Sequence, residues 1–191
     1  DQRSIGVFDS GIGGLTVANA INKVLPKEHL IYFGDTAHLP YGDKSADAIR
    51  YYALRISKFL LEQECKMIII ACNSASAAAS DMLLDFFEGK ILFANVIDPL
   101  VQHTIDKGYQ NVGVIATKAT IGSNVYREKL KTKDQKNFNA YHVAICNAAN
   151  LHQFDLTQHL YTDAFRGQIN WVNSTSFQMP SVVICDEGYL S

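Results

Sequence analysis

Short apolar runs alternate with longer stripes of helical period along the first 145 residues of this 191-residue chain, and few folds accommodate that alternation. The runs at 4–8, 29–33, 67–71, 90–97, 111–116 and 138–145 read as strands, most of them buried. After the first, apolar residues recur at 12, 15, 17, 18, 21 and 24, a helical stripe that stops before Pro26. Ser45 is expected to cap a helix to residue 64, with Ile49, Tyr52, Ala53, Ile56, Phe59 and Leu60 on one face. Helices are also expected after Cys72 to residue 88, from Pro99 to 107, and over 121–131. Strand–helix alternation predicts an α/β fold of two similar lobes. Each lobe would be a mainly parallel sheet flanked by helices, with the ligand site between them.

Asp98-Pro99 interrupts the pattern, which then restarts, so the lobes are expected at 1–97 and 98–191. Beyond 146 the pattern weakens. Residues 147–178 are polar with a loose stripe at 154–165, and a last apolar run at 181–184 ends on Cys185. The second lobe is therefore expected to be divergent or incomplete after 146.

The chain is 48% hydrophobic, enough for a sizeable core, and its net charge of −2 is spread along it. This balance gives no reason to expect a nucleic-acid or anionic-membrane partner. The longest apolar runs are too short to cross a bilayer. Residues 1–4 lead straight into a strand, so no signal peptide is expected. The cysteines at 65, 72, 146 and 185 form no CxxC pair, and the histidines lack ligand spacing. No metal site and a reducing, cytoplasmic setting are the expectations.

Cys72 ends the run at 67–71 and precedes Asn73-Ser74-Ala75-Ser76-Ala77. Asn73 and Ser74 read as a helix N-cap. A cysteine at such a junction lies on the carboxyl edge of a parallel sheet, where open α/β sheets bind small ligands. The positive end of the helix dipole there favours thiolate. A small buried hydrophobe fits the same position equally well.

Other strand ends carry polar groups. Asp9-Ser10-Gly11-Ile12-Gly13-Gly14 reads as an anion-holding turn or simply a tight one, and its GxGG spacing is not a dinucleotide fingerprint. In 34–42, Pro40 and Gly42 frame Tyr41, which could offer backbone and hydroxyl donors to a ligand or merely pack. Thr117 and Thr120 suit carboxylate oxygens or helix caps. His38, His103, His142, His152 and His159 read as surface or satisfied histidines, and Cys65 and Cys146 as structural.

Four motifs in order resemble the bacterial glutamate racemases. They are Ile5-Gly6-Val7-Phe8-Asp9-Ser10-Gly11-Ile12-Gly13-Gly14-Leu15-Thr16-Val17, then Tyr32-Phe33-Gly34-Asp35-Thr36-Ala37 with Pro40-Tyr41-Gly42. Ala71-Cys72-Asn73-Ser74-Ala75-Ser76-Ala77 and Ala116-Thr117-Lys118-Ala119-Thr120-Ile121 complete the set, which covers residues 4–145. The resemblance implies cofactor-independent interconversion of L- and D-glutamate for peptidoglycan, with two cysteines flanking the α-carbon. It implies Cys72 as one of them, with Asp9 managing its proton. It places Asp9, Ser10, Pro40, Tyr41, Gly42, Asn73 and Ser74 on the substrate, joined by Thr117 and Thr120 from the second lobe. Ser74 stands where the family usually has Thr.

The family's second cysteine lies in a Gly-Cys-Thr-His-Tyr-Pro motif that this chain lacks, as it lacks the Ile-Glu-Glu stretch upstream. Cys185, followed by Asp186-Glu187-Gly188, is the candidate replacement, though it also reads as a structural strand residue whose thiol the adjacent carboxylates would push up. Two readings follow: a glutamate racemase, or an impaired relative or fragment that binds an acidic amino acid without turnover. A cysteine hydrolase ranks below both, because no Cys–His pair is recognisable. The expected partner is glutamate, with no cofactor. The oligomeric state is open, with a homodimer among the options.

Overall fold

The computed structural model describes residues 1–108, 111–131, 139–145 and 182–185, with 111, 139–145 and 182–185 described as strand placement only. The chain divides into two compact units, Asp1–Leu100 and Val101–Ser191. The run at 147–178 with its loose stripe, Cys146, His152, His159 and Asp186-Glu187-Gly188 lie outside the described residues.

The first unit is a parallel four-stranded sheet of β1 (Ile5–Asp9), β2 (Leu30–Gly34), β3 (Met67–Ile70) and β4 (Leu92–Asn95). Their order is β2-β1-β3-β4, and every pairing is parallel. β1 is central and wholly buried, which is why its five residues show no polar alternation before Asp9. Helices cover both faces. On one, α1 (Leu15–Val24) brings Val17, Ala18 and Ile21 to Ile5, Val7 and Ala71. On the other, α2 (Ala46–Glu62) buries Ile49, Ala53, Ile56 and Leu60, spaced three and four apart, and packs on α3 (Asn73–Phe86). Leu60 Cδ1 would lie 3.1 Å from a Cβ at Gly6, so α2 meets the sheet at β1.

Ser45 caps α2 as expected, its Oγ accepting from the Ala48 amide at 3.3 Å. Other boundaries differ from the sequence reading. β4 is shorter because Asn95 turns the chain, its Oδ1 accepting from the Ile97 and Asp98 amides at 2.9 Å. α4 (Ile97–Asp106) therefore starts before Pro99, which sits in the first turn, where its missing N–H costs nothing.

In the second unit, β5 (Asn111–Thr117) lies between β6 (Asn139–Ile145) and β7 (Val182–Cys185), parallel to both. The single helix expected at 121–131 is two, α5 (Lys118–Gly122) and α6 (Val125–Lys131). They break at Asn124, whose φ of 57° is a left-handed conformation that Asn tolerates. Val112, Val114, Ile115, Tyr126 and Leu130 are buried here. Among the described residues, no helix is long and apolar enough to cross a membrane.

Candidate active site

The carboxyl edge of the first sheet gathers polar groups because each strand stops there. Asp9, the last residue of β1, is buried and accepts from the Gly11 and Gly14 amides at 3.0 and 3.1 Å. Its carboxylate thus faces the start of α1, where the helix dipole favours negative charge. The loop admits no larger residue at two points. A Cβ on Gly14 would fall 2.7 Å from Asp9 Cβ and 2.9 Å from Ala71 Cβ. One on Gly34 would fall 2.3 Å from the Gly11 carbonyl oxygen. These glycines serve close approach, and α1 accordingly begins at Leu15 rather than at Gly11.

Cys72 follows β3 and is itself the N-cap of α3. Its Sγ accepts from the Ala75 amide at 3.4 Å, and its thiol donates to Ser10 Oγ at 3.6 Å. The sequence reading gave the cap to Asn73 and Ser74, but both lie in the first helical turn, with Ser74 buried. The expectation of a thiolate is also corrected. Burial, and after it the charge of Asp9, push the Cys72 thiol up to about 12. Hydrogen bonds from Ala75 and Ser10 pull the other way. Desolvation outweighs the helix end here, so Cys72 carries its proton at neutral pH.

Of the two readings open for the Tyr41 side chain, the structure favours packing. The Tyr41 hydroxyl is turned inward and donates to Asp35 Oδ2 at 2.6 Å, with the side chain 1% exposed. Burial and the Asp35 bond hold the phenol far above its usual range, so it stays a donor. The 3-10 turn Tyr41–Asp43 can then offer a ligand its main chain, not its phenol. Pro40 and Gly42 flank Tyr41, Pro40 exposed and Gly42 partly buried. His38 Nδ1 pairs with the other oxygen of Asp35 at 2.7 Å.

In the second unit, Thr117 caps α5, taking the Thr120 amide at 3.4 Å, and the two hydroxyls are 3.1 Å apart. The Cys185 backbone ends β7 in register with Ile115 of β5. Cys65 is buried at the opposite, amino edge of the first sheet, beside Gly6. Among the described residues, no group of three His, Cys, Asp or Glu side chains could hold a metal ion.

The first unit therefore brings Asp9, Ser10, Tyr41, Cys72, Asn73 and Ser74 to one sheet edge. Sequence reasoning placed Asp35 in the polar loop directly after a strand end but gave it no role, and it missed the Ala75 amide, which leaves no signal. A buried thiol on a helix N-terminus, beside a carboxylate and a hydroxyl, can exchange a proton with a small carbon acid.

The fold and site define an open parallel α/β protein with a helix-capping thiol at the carboxyl edge of its sheet. The chain belongs to the glutamate racemase family. It is 46% identical over 130 residues to the glutamate racemase of Limosilactobacillus reuteri, covering 68% of this chain and 48% of that protein. The chain spans about half the length of the curated relatives it matches. The crystal structure of glutamate racemase from Campylobacter jejuni aligns with a TM-score of 0.74 at 32% identity, over 97% of this chain and 72% of that one. That of Francisella tularensis glutamate racemase in complex with D-glutamate aligns at 0.70 and 39%, over 83% and 59%. No family model matches the chain.

Proposed function

We propose that this chain racemises glutamate without a cofactor, Cys72 exchanging a proton at the substrate α-carbon. The observation that carries the reading is the Cys72 thiol itself, buried and capping α3 with Ser10 and Asp9 beside it. In this reading the substrate carboxylate meets the start of α3 at Asn73 and Ser74, where amides and the dipole favour an anion. A base on the opposite face removes the α-proton, and the Cys72 thiol delivers one to its own face. Donors around the site stabilise the carbanion between the two transfers. Asp9 disfavours the Cys72 thiolate, which keeps a proton on the sulfur until the carbanion forms. Cys185 is the proposed opposing group, and Thr117 and Thr120 the proposed contacts from the second unit. A cytoplasmic role in supplying D-glutamate for peptidoglycan, and assembly as a homodimer, belong to the same proposal.

A second reading has one observation in its favour. Carboxylates at 186 and 187 follow Cys185, and adjacent negative charge disfavours a thiolate. In that reading the chain binds an acidic amino acid without turnover. Circular dichroism of L-glutamate incubated with the protein separates the two. Decay of the signal to zero, lost in Cys72→Ala, is the result expected of a racemase. A constant signal together with calorimetric binding of glutamate would favour the second reading.

A further inference from the structure

Asp35 is buried, yet nothing in the proton-transfer scheme uses it. It sits between two parts of the site. On the sheet side, its amide donates to the Asp9 carbonyl at 2.9 Å, across the ends of β1 and β2. On the turn side, its two carboxylate oxygens are shared out. Oδ2 takes the Tyr41 hydroxyl at 2.6 Å, and Oδ1 meets His38 Nδ1 at 2.7 Å. His38 in turn stacks on Tyr52 of α2, the ring centroids 4.2 Å apart and the planes 22° from parallel. The turn that carries Tyr41 packs against α3, the helix that Cys72 caps.

An ordinary surface loop has no need of a buried carboxylate. Removing the charge from water is costly, and the site retains it only because both oxygens have partners. Charge-assisted bonds of this kind are short and directional, so they fix the groups they hold. Here they fix the one turn whose main chain the substrate would meet.

We propose that Asp35 is a positioning residue. Through Tyr41 and His38 it clamps the Pro40–Gly42 segment to the edge beside Cys72, so that the turn both covers the thiol and stands preformed for the substrate. The substrate half of this inference rests on the racemase reading, whereas the clamp over Cys72 does not.

The test uses the full chain with Asp35→Ala, Asp35→Asn, Tyr41→Phe and the Asp35→Ala/Tyr41→Phe double variant. Iodoacetamide alkylation of Cys72 at pH 8, read by peptide mass, reports the cover without needing turnover. Loss of the contacts to Tyr41 and His38 is expected to raise the rate about tenfold or more in Asp35→Ala. Tyr41→Phe leaves the His38 contact in place and should raise the rate less, and the double variant should add nothing to Asp35→Ala, in which the Tyr41 bond is already gone. Asp35→Asn keeps an acceptor for Tyr41 and should recover part of the protection. With glutamate as substrate, KM should rise about tenfold in Asp35→Ala while kcat changes less, as loss of uniform binding requires. An unchanged alkylation rate, or additive effects of the two single variants, would overturn the clamp. Should Asp35→Ala fail to fold, Asp35→Asn and Tyr41→Phe carry the same comparison. Absence of racemisation in the wild type would overturn the racemase reading, and the alkylation results would still decide for or against Asp35.

Discussion

The sulfur of Cys72 accepts the amide hydrogen of Ala75 at 3.4 Å, so the group proposed to move the substrate proton is also the cap of α3. On that proposal one atom serves both stability and chemistry, and substitutions separate the two. Serine offers a better cap and no thiol, whereas alanine offers neither. Cys72→Ala is expected to lose about 1 kcal/mol of stability relative to Cys72→Ser. Urea denaturation followed by far-UV ellipticity measures the difference. Equal midpoints would mean that the cap contributes nothing.

The buried thiol sets a pH dependence. With Cys72 titrating at about 12, its alkylation rate should climb about tenfold per pH unit through pH 11, with no plateau near 9. The linkage has a definite sign. The folded value lies above the ordinary 9.0, so this group's contribution is complete below pH 9 and is lost as pH rises through 12. Stability measured from pH 8 to 11 should therefore fall, and a rate that levels off below pH 10 would contradict the burial argument.

Asp9 is the second cause of that upward push, after burial. Asp9→Asn keeps an acceptor for the Gly11 and Gly14 amides but removes the charge. The Cys72 thiol should then titrate lower than in the wild type, and iodoacetamide should label it faster at pH 9. Slower labelling would mean that the Asp9 contact acts through structure rather than charge.

Gly14 leaves no room for a methyl group, because its neighbours at 2.7 and 2.9 Å are the Cβ atoms of Asp9 and Ala71, which cannot swing away. Gly14→Ala should cost about 1–3 kcal/mol, as overpacking does. It should also displace Asp9 from the Gly14 amide. Chemical denaturation checks the first effect and the Cys72 alkylation profile the second. Wild-type behaviour in both would show that the loop can shift at no cost.

The strands of the first unit were legible because parallel strands covered by helices are continuous apolar runs, and Pro26, Ser45 and the glycines mark where they turn. Only β1 is wholly buried, with β2 half-buried and Leu92 of β4 exposed. α2 was legible from its stripe at 49, 53, 56 and 60 and from its Ser45 cap. The cap of α3 was not. Asn and Ser are better caps than Cys, and only the backbone path puts Sγ rather than their oxygens on the Ala75 amide. The direction of the Tyr41 hydroxyl was equally hidden, because Asp35 lies six residues away across a turn. The protonation of Cys72 was misjudged for a related reason. The helix end can be read from local sequence, whereas the burial that outweighs it comes from the packed sheet and the charge of Asp9. The break at Asn124 interrupts no apolar stripe, so α5 and α6 looked like one helix.

The central claim is that Cys72 exchanges the α-proton of glutamate, and solvent exchange tests it most directly. L- and D-glutamate would each be incubated with the protein in deuterium oxide, and loss of the α-proton signal followed by NMR. The account predicts exchange of both enantiomers with the wild type and, in Cys72→Ser, a loss of about 10²- to 10⁴-fold for the enantiomer whose α-hydrogen faces Cys72, the range that a general acid–base group contributes. Wild-type exchange that persists unchanged in Cys72→Ser, or no exchange from either enantiomer in the wild type, would contradict it.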